Sequence, residues 1–347
     1  MDKIKVAVIG ASGYAGLELV RLLARHPGCQ LAAVTSLEYP GQPFSQIFPS
    51  LAGIVDLAFL KNPAPEEIAA SAQVVFTAVP HQAAMGMIPA FLAQGLKVVD
   101  LSADFRFQDA GLYEKWYQPH TATDLLAEAV YGLPELHRDA VRRTRLVGNP
   151  GCYPTCVILG LAPLAKARLI RPEVIADCKS GVSGAGRQAL LGISFCEVND
   201  GFRAYKVLDH RHTPEMEQEL SFLAGEPVQV TFTPHLVPMS RGILGTLYAT
   251  LTAPRSEADL RELYREFYQG HPFVRLHPKG TLPDSRDVRG ANFCDLALRV
   301  APDGRRVIVV SVIDNLNKGA AGQAVQNFNL MCGFPETLGL ETPPFTP

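Results

Sequence analysis

The sequence predicts an α/β chain: a doubly wound parallel sheet followed by an α+β domain with a mostly antiparallel sheet. Three observations carry this. Over the first 150 residues, short near-continuous apolar runs alternate with stretches of helical period, the pattern of strands buried on both faces. A glycine-rich turn sits directly between the first apolar run and the first helical stretch. Beyond Gly151 the runs lengthen and mix polar with apolar positions, as antiparallel strands with one wetter face do. The length of 347 residues fits two domains, at about 150 residues each. The 47% apolar content is enough to fill two cores.

Ile4–Ile9 reads as the first strand, and a helix with Leu17, Val20 and Leu23 on one face runs from Gly16 to His26. Leu31–Ser36, Gln73–Val79 and Lys97–Leu101 read as further strands, with a helix over Gln82–Ala93. These elements make residues 1–150 one domain and 151–313 a second. In the second, a helix over Thr155–Leu169 precedes a glycine-rich stretch, Ser180–Arg187. Val228–Val237, Ile243–Ala253, Phe293–Val300 and Val307–Ile313 are its strands. Ser256 caps a helix to Tyr268 with Leu260, Leu263 and Phe267 on one face. Ala320–Met331 closes the chain as a helix.

Lys and Arg total 32 against 34 Asp and Glu, so a formal charge of -2 offers no field to attract nucleic acid or an anionic membrane. No run reaches the roughly 18 apolar residues of a membrane helix. The N-terminus enters a strand with no signal-peptide core, and the seven cysteines show no paired spacing. The expectation is a cytoplasmic protein with reduced thiols and a small-molecule substrate.

The turn Gly10-Ala11-Ser12-Gly13-Tyr14-Ala15-Gly16 has the spacing GxxGxxG. Small residues let backbone approach a pyrophosphate, and the helix N-terminus supplies unpaired N–H groups and partial positive charge. Within a strand–helix–strand unit this predicts a dinucleotide site. At the end of the second strand an NAD site usually places an acid, whereas this chain has Thr35 and Ser36. Hydroxyls there do not repel a 2′-phosphate, so NADP is expected. His81, just after a strand end, faces the same cleft in this reading.

Cys152 lies where a Gly/Pro turn feeds a helix, and a thiolate at a helix N-terminus is stabilised as a nucleophile. Opposite a hydride donor, such a thiol interconverts acyl groups and aldehydes. Thr213 reads as an N-cap with Pro214 behind it, which puts His210 and His212 in the loop entering a helix. Either ring is then a candidate acid/base. No third ligand lies at metal-site spacing, so no metal is expected.

With these pieces in place, the chain resembles the N-acetyl-gamma-glutamyl-phosphate reductases of arginine biosynthesis over nearly its whole length. The resemblance rests on GASGYAG at Gly10–Gly16, DLSADFR at Asp100–Arg106, YGLPEL at Tyr131–Leu136 and GNPGCYPT at Gly148–Thr155. It continues through SGVSGAGR at Ser180–Arg187, AYKV at Ala204–Val207, HRHTPE at His210–Glu215, SRGIL at Ser240–Leu244 and DNLNKGAAGQAVQN at Asp314–Asn327. It implies a Rossmann domain, a substrate domain of the aspartate-semialdehyde-dehydrogenase type, and a C-terminal helix, 314–331, returning to the first domain. Cys152 is then the nucleophile and His210 the acid/base, with His212 the fallback. Pro80, Ser183, Gly184, Asn315 and Lys318 join the NADP site. Arg106, Arg187, Lys206, Arg211 and Arg241 become candidate anchors for an anionic acyl phosphate. A homo-oligomer, dimer or tetramer, is also implied. Two alternatives stay open: the same chemistry on a carrier-bound aminoadipyl or glutamyl phosphate, and a non-catalytic nucleotide-binding redox sensor.

Overall fold

The computed structural model describes residues 3–345. The chain divides into two compact units, one running to Pro150 and including Ala320–Thr342, the other comprising Gly151–Gly319 and the end from Pro343.

In the first unit the described strands are β1 (Ile4–Ile9), β2 (Cys29–Thr35), β3 (Phe59–Leu60), β4 (Val74–Thr77), β5 (Lys97–Asp100), β6 (Val130–Tyr131) and β7 (Leu146–Gly148). They form a single parallel sheet in the order β3-β2-β1-β4-β5-β7-β6. Val6, Val8, Val34, Val75, Phe76 and Val98 are fully buried, which explains why their runs are apolar without alternation. The helix after β1 spans Tyr14–Leu23, starting two residues before the expected Gly16 and ending three before His26. The expected helix over 82–93 is broken into a short 3₁₀ turn, Ala84–Gly86, and a helix, Ile88–Ala93. Pro89 in its first turn has no N–H to carry the pattern back through Gly86. The closing helix, Gly322–Met331, belongs to this unit: Lys97 Nζ donates to the Met331 carbonyl at 2.5 Å, and His26 Nε2 lies 2.9 Å from Asn329 Oδ1. Residues 314–319 stay with the second unit, so the returning segment starts later than the expected 314–331 and runs on to Thr342.

In the second unit the described strands are β8 (Ile170–Gly181), β9 (Arg203–Ala204), β10 (Gln229–Val237), β11 (Ile243–Leu251), β12 (Val274–Leu276), β13 (Cys294–Val300) and β14 (Arg306–Ile313). Their order is β12-β13-β14-β11-β8-β10-β9. The pairs β8/β10 and β12/β13 are parallel and the other four antiparallel, so the sheet is mixed with an antiparallel majority. Helix Cys152–Lys166 is buried from Tyr153 to Ala165, the expected state of a helix apolar all round. Helix Glu257–Phe267 covers it: Tyr264 Oη donates to the Gly160 carbonyl at 2.6 Å, and Tyr268 Oη to that of Leu159 at 2.5 Å. On the other face of the sheet Ile175, Tyr248 and Ile308 stand side by side across β8, β11 and β14, 47%, 40% and 37% exposed. Among the described residues no helix is long and apolar enough to cross a membrane.

Candidate active site

In the first unit the glycine loop is shaped by close approach. Gly10 has φ +84°, and a Cβ there would meet the Ala78 carbonyl oxygen at 2.5 Å, so only glycine fits between the ends of β1 and β4. Gly16 packs against the Gly10 carbonyl, while a Cβ on Gly13 would meet no protein atom within 4 Å. Gly13 is the N-cap of Tyr14–Leu23, and no acidic side chain occupies that helix's first turn. An open cradle at an uncompensated helix N-terminus fits a dinucleotide pyrophosphate. Thr35 and Ser36 are both buried at the end of β2. Thr35 Oγ1 accepts the Gly10 N–H at 3.1 Å. Ser36 Oγ donates to Ser12 Oγ at 3.0 Å and accepts the N–H groups of Glu38 and Tyr39. Both hydroxyls therefore shape the loop as well as leaving the strand end free of acid.

In the second unit Cys152 is the first residue of a 15-residue helix whose first turn carries no acid. The sequence reading starts this helix near Thr155, with Pro154 in its first turn. Pro154 is instead its third residue, still within the turn where no N–H is needed. The helix N-terminus favours negative charge at the thiol. Cys152 is partly exposed, whereas Cys29, Cys156, Cys178 and Cys294 are buried. Burial pushes the thiols of Cys29 and Cys156 up to about 12, and those of Cys178 and Cys294 well above their ordinary value. The seven cysteines are free.

Three groups that sequence reasoning did not single out converge on Cys152. The Glu215 carboxylate, fully buried, accepts the Gly151 N–H through Oε1 at 2.7 Å. Gly319 packs on the thiol's own stem: a Cβ there would lie 2.8 Å from Cys152 Cβ. Tyr153 Oη lies 3.1 Å from Tyr205 Oη, and burial raises both phenols far above neutral pH. Only the tertiary fold brings these groups together. Glu215 is visible in sequence merely as an acid in the first turn of helix Thr213–Ala224.

The two histidines are neighbours, with ring centroids 4.8 Å apart. Thr213 is not the cap expected; His212 holds that position and Thr213 begins the helix. His210 packs edge-on against Tyr153, Tyr205 and Phe232, and its Nδ1 accepts the His212 backbone N–H at 3.1 Å. That bond leaves the proton of the neutral His210 ring on Nε2. His212 stands against Gly151, the residue before Cys152. A Cβ on Gly151 would meet His212 Nε2 at 2.7 Å and Glu215 Oε2 at 3.0 Å.

Ser183, Gly184 and Asn315 come together: Asn315 Nδ2 donates to Ser183 Oγ at 3.0 Å, and a Cβ on Gly184 would lie 3.7 Å from the same nitrogen. Lys318 is fully buried, its ammonium 5.6 Å from the centre of the Phe273 ring. Of the candidate anchors, Arg187 is half-buried and Lys206 and Arg211 are exposed. Arg241 is paired with the buried Asp314 at 2.9 Å. Arg106 lies in the first unit, buried, donating to the carbonyls of Asn149 and Leu101 at 2.7 and 2.8 Å. Pro80 is exposed beside His81 in the loop after β4.

A dinucleotide-type parallel sheet and a thiol at the first residue of a buried helix, with a histidine packed against the residue before it, define a semialdehyde-dehydrogenase-type oxidoreductase. Family models agree: residues 5–144 match the semialdehyde dehydrogenase NAD binding domain, and 152–315 the semialdehyde dehydrogenase dimerisation domain. Aspartate semialdehyde dehydrogenase II of Vibrio cholerae, solved with ASA, shares the fold at a TM-score of 0.74 and 17% identity, over 96% of this chain and 99% of that one. The Candida albicans enzyme, solved with NADP, gives 0.72 at 16% identity, over 95% and 99%. The chain is 57% identical to the N-acetyl-gamma-glutamyl-phosphate reductase of Syntrophobacter fumaroxidans and 58% to that of Geobacter metallireducens, in each case over 99% of this chain and all of the relative. The chain belongs to the N-acetyl-gamma-glutamyl-phosphate reductase family.

Proposed function

We propose that this protein reduces N-acetyl-L-glutamyl 5-phosphate to N-acetyl-L-glutamate 5-semialdehyde and inorganic phosphate, with NADPH, through a thioester on Cys152. The placement of Cys152 as the first residue of its helix, next to Gly151 against which Glu215 and His212 both pack, carries this reading. The thiolate attacks the acyl carbonyl, the carbon–oxygen bond to phosphate breaks, and phosphate departs. Bound NADPH supplies the hydride that reduces the thioester. The hemithioacetal on Cys152 then collapses, breaking the carbon–sulfur bond and returning the thiolate.

His210 with its proton on Nε2 suits hydrogen-bond donation to the tetrahedral oxygen. It cannot take up a second proton without giving up its bond to the His212 N–H. Its implied acid/base role is therefore narrowed to donation. His212, beside Gly151 and Glu215, is assigned the proton transfers: from the thiol, then to the departing phosphate. Gly10–Gly16 would hold the pyrophosphate, with Thr35, Ser36 and Pro80 in the same unit; Ser183, Gly184, Asn315 and Lys318 are the further candidates for the cofactor. Arg106, Arg187, Lys206, Arg211 and Arg241 are the candidate anchors for phosphate and carboxylate.

A second copy covering the exposed Ile175–Tyr248–Ile308 row would make the protein a homo-oligomer, supported by the dimerisation-domain match over this unit. The free thiols support a cytoplasmic location. The assay is phosphate-dependent NADP reduction with N-acetylglutamate semialdehyde, run beside aspartate semialdehyde. Turnover with the first and not the second supports the assignment. Preference for aspartate semialdehyde, or NADP binding without turnover on either, overturns it.

A further inference from the structure

Within the segment DLSADFR, Asp100–Arg106, only Arg106 has a place in this chemistry, yet the segment holds a dense buried polar cluster. The strand order places β1 beside β4 with β2 on its far side, so the chain reverses direction of growth between β1 and β4. Ligands of open parallel sheets bind at that crevice, between the loops leaving the two strands. One of these loops is Gly10–Gly16. The other runs from Ala78 to Gly86, and its first carbonyl lies against Gly10.

Asp104, fully buried, reaches this second loop from the end of β5. Its Oδ1 accepts the Gln82 N–H at 2.8 Å and the Tyr113 hydroxyl at 2.9 Å, and its Oδ2 accepts the Met85 N–H at 3.1 Å. Gln82 has φ +77°, a conformation that a non-glycine residue keeps only where its surroundings hold it. The Ala103 N–H donates to His81 Nδ1 at 3.0 Å, tying the same loop once more. Asp104 is itself fastened. Its N–H donates to Ser102 Oγ at 3.1 Å, Ser102 Oγ donates to Asp100 Oδ2 at 2.6 Å, and Thr77 at the end of β4 donates to Asp100 Oδ1 at 2.6 Å. The hydrogen bonds thus run from β4 across β5 and back to the loop that leaves β4.

We propose that Asp104 is a positioning residue for NADPH: it fixes the Ala78–Gly86 loop, with Pro80 and His81, as the second wall of the dinucleotide site. The proposal rests on the cofactor reading given above and deepens it. A carboxylate suits the task because it accepts three donors at once, two of them backbone N–H groups that have no helical or sheet partner in a turn.

The test compares full-length wild type, Asp104→Asn and Tyr113→Phe by NADPH fluorescence titration without acyl substrate, and by steady-state kinetics. Thermal midpoint and circular dichroism report folding. Asp104→Asn should raise the Kd and KM for NADPH by about 10-fold or more, the scale of losing a charge-assisted hydrogen bond. Tyr113→Phe, which removes one donor and leaves the backbone bonds, should raise them about 3-fold. The kcat and the KM for the acyl substrate should stay within about 2-fold, because Cys152 and its neighbours are untouched. A folded Asp104→Asn with wild-type NADPH affinity overturns the proposal, as does an acyl-substrate KM that rises in step. Should Asp104→Asn fail to fold, Tyr113→Phe decides by the same readouts. A wild type that binds no NADPH overturns the cofactor reading itself, a result distinct from equal binding by wild type and variant.

Discussion

Glu215 Oε1 accepts the Gly151 N–H at 2.7 Å, so a fully buried carboxylate is fastened to the residue that precedes Cys152. Its other oxygen and His212 Nε2 crowd the same side of Gly151. The carboxylate pairs a buried N–H, and in the proposed mechanism it also stabilises His212 when that ring holds a proton.

Glu215→Gln keeps the shape and an acceptor but loses the charge. It should lower kcat by about 10-fold or more with little loss of thermal stability, since ionic support of an acid/base is worth this much. Glu215→Ala strands a buried N–H and should also cost about 1–3 kcal/mol of stability. Denaturant unfolding and steady-state kinetics on both variants separate the two effects. Equal kcat for Glu215→Gln and wild type would remove the electrostatic task.

The proposed mechanism divides the work of the histidines by tautomer. His212→Asn should cut kcat by about 100-fold, the scale of losing a general acid/base, and should abolish the histidine limb of the pH–rate profile. His210→Asn should lower kcat less while that limb persists. The reverse pattern, with the limb lost only in His210→Asn, returns proton transfer to His210.

Gly319→Ala tests the close approach to Cys152. The added methyl would lie 2.8 Å from Cys152 Cβ, so the thiol must move. Kinetics should show kcat down by about 10-fold or more, with overpacking costing about 1–3 kcal/mol. NADPH affinity should stay unchanged, because the first unit's glycine loop is untouched. Wild-type kcat in a variant of normal stability would show that the thiol's placement does not depend on this contact.

Cofactor choice rests on Ser36, buried at the end of β2. Ser36→Asp retains an acceptor for the Glu38 and Tyr39 N–H groups but sets a negative charge where a 2′-phosphate is expected. The ratio of kcat/KM for NADPH over NADH should fall by about 10-fold or more, as for any like-charge clash in a partly dry site. An unchanged ratio would place the 2′-phosphate elsewhere.

The first sheet was legible in sequence because strands buried on both faces are continuous apolar runs, as in β1, β4 and β5. Its two- and three-residue strands, β3, β6 and β7, are too short to show any period. An interior strand of the second unit, β8, was missed outright. It alternates buried Val174, Ala176 and Cys178 with Glu173, Asp177 and Lys179, and Pro172 near its start reads as a breaker. Pro172 is tolerated because pairing with β10 begins only at Glu173. In the site, Cys152 and the histidines could be read because a turn feeding a helix is a local signal. The contacts of Glu215 with Gly151 and of Gly319 with Cys152 join residues distant in sequence, and no local pattern encodes them.

The central claim is that Cys152 carries the acyl group. Wild-type protein mixed with N-acetylglutamate semialdehyde and NADP, without phosphate, has no acceptor for the thioester, so it should accumulate. Acid quenching, proteolysis and mass spectrometry should find the N-acetylglutamyl group on the peptide containing Cys152. The adduct should be absent from Cys152→Ser and lost from wild type when phosphate is added. An adduct on the exposed Cys196 instead, or full turnover by Cys152→Ser, would contradict the account.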